Sequence, residues 1–323
     1  MNLYRRLTDI PRNMNHVLTT GIFDGVHRGH RYIIRQLLDV SRQCGGIPSV
    51  VTFDPHPQHV LIRNGTPPLK LLTTVEEKAD ILGSLGVENL FVLPFDEKFS
   101  RLSGDDYVRD ILIGKIGFKC ILIGYDHTFG RDRQGGVHTL EKFAEQENYK
   151  VLQLEPQKDE ETIISSSLIR SLLESGRIED ANQLLERAYS IRGTVVPGDK
   201  RGRLLGFPTA NIEPESRLKA LPGRGVYAAS VAIDDQCYQG MANIGIRPTF
   251  GGKIETLEIH IFSFSEEIYD KNVEIRFHTK LRDEKRFDGM EALIAQLHED
   301  QKQAIDYFSK YQNQVNTGDV KCL

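Results

Sequence analysis

The stretch HVLTTGIFDGVHRGH, residues 16–30, sets the architecture of the first half of the chain. Residues 16–22 read as a strand that runs into glycine. Residues 31–42 carry Ile33, Ile34, Leu37 and Leu38 at helical spacing. Strand, glycine-rich turn and helix start thus follow one another directly. The first turn of a helix offers free backbone N–H groups and the positive dipole end, which together form an anion site. Gly21, Gly25 and Gly29 let the backbone approach a phosphate closely. His27 and His30 lie on one face of a helical turn. Both can donate hydrogen bonds to phosphoryl oxygens as charge builds in a transition state. An isolated HxxH pair more often comprises a cap and a surface residue; the context here favours the site. Zinc is disfavoured, because no third ligand stands at a standard spacing.

On either side, short apolar runs alternate with helical patterns. Strands are expected at 49–53, 89–93, 120–123 and 151–154, and helices at 75–85, 105–113, 139–146, 165–174 and 178–186. Such alternation implies a parallel sheet covered on both faces, with ligands beyond the carboxyl ends of its strands. From about Ala188 the period changes to two. Strands at 189–197, 225–233, 237–244, 255–262 and 273–281, separated by turn residues, suggest an antiparallel barrel or sandwich. One amphipathic helix follows at 290–308, with Leu293, Ile294, Leu297, Ile305 and Phe308 on its apolar face.

The chain has 323 residues, which suggests about two domains. The break between patterns puts them at 1–186 and 187–323. With 41 Lys+Arg against 45 Asp+Glu the net charge is −4, which argues against a dedicated nucleic-acid binder. The four cysteines Cys44, Cys120, Cys237 and Cys322 are far apart. They suggest neither a zinc site nor a disulfide framework. No signal peptide and no membrane-spanning run is evident, so a cytoplasmic protein is expected.

Two further segments bear on chemistry. Residues 164–170 read ISSSLIR. Ser165, Ser166 and Ser167 at a helix start supply hydroxyl and amide donors, and Arg170 a fork for phosphate. Alone, this would be an ordinary N-cap with a solvated arginine. The segment GDKRGRLLGFPTAN, residues 198–211, is a glycine- and arginine-punctuated loop without the spacing of a Walker A loop. Thr209 and Asn211 point the same way in an extended strand, and two neutral oxygen ligands suit Mg²⁺ brought in with ATP. Alone, this would be a turn and a polar strand end. In TLEIHIF, residues 256–262, Glu258 and His260 share the face opposite Leu257, Ile259 and Ile261. A solvent-facing or structural role is favoured for His260.

The first half resembles the HxGH nucleotidylyltransferase superfamily, and within it the FMN adenylyltransferase module of bacterial bifunctional riboflavin kinase/FAD synthetases. The resemblance is carried by GIFDGVHRGH at 21–30, TFDPHP at 52–57, GYDHTFG at 124–130, and ISSSLIR. The second half resembles the riboflavin kinase module of that family through LGFPTAN, NIGIRPTF at 243–250, LEIHIF, and LR…KRF at 281–287. The fold implied is a Rossmann-like α/β nucleotidylyltransferase domain, followed by an antiparallel β-barrel kinase domain with a C-terminal helix. The activity implied is phosphorylation of riboflavin by ATP to FMN, then adenylylation of FMN by ATP to FAD and pyrophosphate. In the first module the resemblance implies ATP and FMN binding by Gly21, Phe23, Asp24, Gly25, His27, His30, Asp126, Ser165, Ser166, Ser167 and Arg170. In the second it implies Glu258 as general base and Thr209 and Asn211 as Mg²⁺ ligands. Gly202, Gly206 and Pro208 would belong to the loop around ATP, and Arg282, with Arg286 nearby, would lie on the flavin side. Partners would be riboflavin, FMN and ATP, with no nucleic acid and no membrane; weak self-association is left open. A chain with one silent module, or a non-enzymatic flavin-binding protein, are the rival readings. Intact His27, His30 and Glu258 weigh against both.

Overall fold

The computed structural model describes residues 1–61, 66–155, 164–198, 202, 205–249 and 252–314. Residues 199–201, 203 and 204 of the glycine- and arginine-rich loop, Phe250 and Cys322 therefore lie outside the described residues. The chain separates into two compact units, Met1–Ser166 and Ser167–Leu323.

Unit 1 is built on six parallel strands: β1 (Asn2–Tyr4), β2 (His16–Thr20), β3 (Ile47–Asp54), β4 (Asn89–Pro94), β5 (Cys120–Gly124) and β6 (Lys150–Leu154). Their order is β1-β4-β3-β2-β5-β6. The expected parallel sheet is present, and it gains an edge strand, β1, that three residues are too few to announce. Neighbouring residues bury into opposite layers. Leu18, Val51, Phe91 and Ile121 enter one core, while Val17, Val50, Leu90 and Leu122 enter the other. Burial on both faces is why these strands read as continuous apolar runs rather than alternating ones.

The connecting helices are α1 (Arg28–Cys44), α2 (Pro57–Val60), α3 (Val75–Leu85), α4 (Glu97–Ser100), α5 (Gly104–Asp106) and α6 (Val137–Glu147). The helix expected at 105–113 continues instead as a π-helical stretch, Tyr107–Ile116, closed by Gly117 N–H on the carbonyl of Leu112 at 2.8 Å. Its apolar residues Tyr107, Val108, Leu112 and Ile116 still face the core.

Chain order reverses at β2. From there β3 and β4 extend to one side, and β5 and β6 to the other. Such a switch point opens a crevice beyond the carboxyl ends of the strands. The segments leaving β2 and β5 carry GIFDGVHRGH and GYDHTFG, so adjacent strands deliver both motifs to one sheet edge.

Unit 2 opens with helices α7 (Ser166–Glu174, its first residue in unit 1) and α8 (Ile178–Leu185). Asn182 of α8 donates from Nδ2 to the Phe277 carbonyl at 2.8 Å and accepts Tyr189 N–H at 2.7 Å. Strands β7 (Tyr189–Val196), β8 (Ala210–Pro214), β9 (Gly225–Ile233), β10 (Gln236–Thr249), β11 (Gly252–Ile261) and β12 (Asn272–Arg282) close an antiparallel barrel in the order β10-β11-β8-β7-β12-β9. Helix α9 (Met290–Gln314) packs Leu297, Ala304 and Phe308 on Val226, Ala228 and Leu281. Barrel and final helix agree with the sequence-based expectation. One expectation fails at Cys237, which is disulfide-bonded, whereas Cys44 and Cys120 carry free thiols. Sequence separation does not limit pairing; only the folded distance between Cα atoms does.

Candidate active site

In unit 1, His27 is the N-cap of α1, with Nδ1 accepting the backbone N–H of His30 at 3.4 Å. His27 is thus the cap residue that an isolated HxxH pair would lead one to expect. His30 is not the surface residue of such a pair. The His30 ring stacks on that of His27 with centroids 3.7 Å apart, and its Nδ1 is buried without a partner. Burial, then the charges of His27 and Lys78, hold the His30 pKa well below its usual value. The imidazole is thus neutral near neutral pH.

The turn before α1 is strained. Phe23 and Val26 have φ of 50° and 41°, unusual for non-glycine residues and most so for a β-branched one. Such outliers persist where surroundings over-determine them. Here the buried Asp24 carboxylate accepts the backbone N–H groups of Leu72 and Thr73, each with a contact at 3.0 Å. The Gly25 N–H in turn donates to Thr73 Oγ1 at 3.0 Å. Asp24 is committed to holding the turn. A Cβ on Gly21 would meet the Phe23 ring at 3.0 Å.

Beyond β5, Asp126 is exposed. His127 beside it has a buried Nε2 with no partner, and burial pushes its pKa down to about 4. Ser166, the last residue of unit 1, donates from Oγ to the carbonyl of Asp24 at 3.0 Å. Ser165 precedes α7; Ser167 and Arg170 stand on its first two turns.

Two residues of this site escaped the sequence reading. Tyr107 Oη shares a hydrogen bond with Thr20 Oγ1, 2.9 Å apart, at the end of β2. Lys78 on α3 is buried, with Nζ donating to the Ile22 carbonyl at 2.6 Å and to Thr52 Oγ1 at 3.2 Å. A signal for Lys78 existed: Val75, Lys78, Ala79 and Leu82 follow the apolar stripe of a helix.

In unit 2, β8 and β11 pair so that Asn211 lies opposite Glu258. Thr209 Oγ1 donates to Glu258 Oε2 at 3.3 Å. Hydroxyl, amide and carboxylate therefore converge at one strand end. A Cβ on Gly198 would come within 2.0 Å of Asn211 Nδ2, and one on Gly202 within 2.3 Å of the Phe207 carbonyl. Gly202 is required by this approach to backbone, and Gly206 by its φ of 79°. Hard oxygen donors in such a cradle fit Mg²⁺. Pro208 is exposed, and its carbonyl accepts His260 Nδ1–H at 2.8 Å. His260 is buried against Phe207, so it is the structural residue favoured above and not a solvated one. Arg282 is held in a bidentate pair by Asp300 of α9, with Nε 2.9 Å from Oδ1 and Nη2 2.8 Å from Oδ2. Its guanidinium is engaged within the unit rather than poised in solvent.

Two family models match the chain: FAD synthetase over residues 9–168 and riboflavin kinase over 185–308. The bifunctional riboflavin kinase/FMN adenylyltransferase of Listeria monocytogenes is 37% identical, covering 95% of this chain and 96% of that one. That of Bacillus subtilis is 36% identical over 91% and 92%. The crystal structure of a macrolide-efflux protein from Streptococcus pneumoniae superposes with a TM-score of 0.85 at 31% identity, covering 93% of this chain and 97% of that one. No helix among the described residues is long and apolar enough to cross a membrane. Both family models match this chain, it covers nearly the whole length of these relatives, and it belongs to the bifunctional riboflavin kinase/FMN adenylyltransferase family.

Proposed function

We propose a division of labour in which unit 2 makes FMN and unit 1 turns it into FAD. The chain is a riboflavin kinase and FMN adenylyltransferase. The observation that carries the assignment of residues is that each unit has its own site: His27 stacked on His30 in one, Thr209 bonded to Glu258 in the other.

In the kinase step, the Glu258 carboxylate takes the proton of the riboflavin 5′-hydroxyl. That oxygen attacks the γ-phosphorus of ATP, and ADP leaves. A hydroxyl needs a positioned base for this attack. Mg²⁺, when bound by Thr209 and Asn211, neutralises phosphate charge. Gly202, Gly206 and Pro208 shape the loop around ATP, and Arg282 serves the flavin side.

In the adenylyl step, an FMN phosphate oxygen attacks the α-phosphorus of ATP, and pyrophosphate leaves. The phosphate is already ionised, so the protein supplies position and charge stabilisation rather than a base. His27, His30 and the free N–H groups of the first turn of α1 receive phosphoryl oxygens. Gly21, Phe23, Asp24 and Gly25 form the turn that aims them. Asp126 faces the nucleotide, and Ser165, Ser166, Ser167 and Arg170 the triphosphate. The same proposal places the domain boundary between residues 186 and 187. It also includes a cytoplasmic location and no nucleic-acid partner, with weak self-association left open.

The test is a time course with riboflavin, ATP and Mg²⁺, the flavins being separated by chromatography. FMN rising first and FAD following supports the division. FMN without FAD points to a silent unit 1, and no new flavin to a binding protein.

A further inference from the structure

Lys78 occupies a place that composition of a helix face does not explain. It is 5% exposed, on the stripe that buries Ala79 and Leu82. A charged side chain is rarely so enclosed unless it is paired. Its hydrogen-bond acceptors are both uncharged: the carbonyl of Ile22 at 2.6 Å and Thr52 Oγ1 at 3.2 Å. Thr52 Oγ1 itself donates to the same carbonyl at 2.9 Å. Three groups from three elements thus close a small ring: the exit of β2, the end of β3 and the first turn of α3. Ile22 immediately precedes Phe23, the first strained residue of the turn that leads to His27. Asp24 and Thr73 hold that turn from one side, and Lys78 and Thr52 hold its entry.

We propose that Lys78 is a positioning residue of the adenylyl-transfer site, its ammonium clamping Ile22 to Thr52 and so fixing the turn that presents His27 and His30 to phosphate. The inference rests on the reading of unit 1 as the adenylyl-transfer module. The charge of Lys78 has a second consequence. The charged or titratable groups acting on His30 are His27 at the N-cap of α1 and Lys78 on α3. Asp24 in the turn and Asp54 at the end of β3 act in turn on Lys78. With Lys78 cationic, a proton on His30 is disfavoured; without it, His30 takes up a proton more readily.

The test uses the full chain with Lys78→Met and Lys78→Gln. FAD formation from supplied FMN is the readout, and FMN formation from riboflavin reports on the intact fold. Lys78→Met is expected to lower kcat for FAD formation by about tenfold or more, with FMN formation within about twofold of the unmodified chain. The low-pH inflection of its pH–rate profile for FAD formation moves to higher pH. Lys78→Gln keeps a donor for the Ile22 carbonyl without the charge, so part of kcat returns while the inflection stays moved. FAD formation by Lys78→Met within about twofold of the unmodified chain overturns the proposal. So does a rate lowered equally at every pH, because a merely structural role does that. If Lys78→Met loses both activities, Lys78→Gln is judged by the same limits. An unmodified chain that makes no FAD from FMN sinks the reading of unit 1 instead.

Discussion

Glu258 and Thr209 meet because β11 and β8 pair in a register that sets Asn211 opposite Glu258, with Thr209 two residues before it. A carboxylate, a hydroxyl and an amide then share one barrel edge, suited to a proton transfer beside bound phosphate. Glu258→Ala is expected to cut FMN formation by about 10²–10⁴-fold, the usual worth of a positioned base. FAD formation from supplied FMN should persist in that variant; an unchanged kinase rate would remove the base assignment. In unit 1 the stacked histidines predict the converse. His27→Ala with His30→Ala should lower FAD formation by about 10²-fold or more, as loss of donors to developing charge does, while FMN continues to form. Here His27 has a double part, since its Nδ1 also caps α1. A melting curve of the double variant separates the lost cap from the lost donors.

Among the elements, β12 and α9 enclose an imidazole that responds to pH. His278 is buried, with Nε2 2.9 Å from Ser230 Oγ and its ring edge-on to Phe308 of α9. Burial, and next the charge of Arg276, push its pKa from 6.5 down to about 4. The unfolded chain takes up this proton as pH falls through 6.5, but the folded chain does so only near 4. This contribution to stability is therefore complete above pH 6.5 and is lost as pH falls toward about 4. Its upper size is about 3 kcal/mol. Urea midpoints should fall between pH 7 and pH 4.5, roughly the span of that titration, and less so in His278→Gln. Equal slopes for the two chains would show that His278 is not the group responsible. The π-helical stretch Tyr107–Ile116 is also an element-level matter. Helical period placed its residues on the correct face, but period does not distinguish 3.6 residues per turn from a slightly wider coil.

Each unit has its own core and its own candidate site, so the two reactions need not occur in one copy of the chain. Mixing the Glu258→Ala chain with the His27→Ala, His30→Ala chain should yield FAD from riboflavin, because FMN released by one copy is used by the other. Its rate should rise with the concentration of the FMN-consuming partner. FMN accumulating without FAD in the mixture would mean that it is not handed between copies.

One change of period along the chain was enough to specify an α/β unit followed by a β-barrel, because burial on both faces and burial on one face leave different apolar patterns. The glycine-rich turn before His27 and His30 was legible as a candidate anion site from local backbone demands, whereas Thr209, Asn211 and Glu258 became candidates through the family resemblance. The packing roles of Asp24, Lys78, Tyr107 and Arg282 were not legible locally. Those roles depend on partners 48, 56, 87 and 18 residues away, and an exposed charge and a buried one look alike in sequence.

 

Pattern and local backbone geometry are properties of neighbouring residues, so the chain order already contained them. Which charge is enclosed, and by what, exists only once segments that far apart are packed together, and that was settled by the tertiary structure.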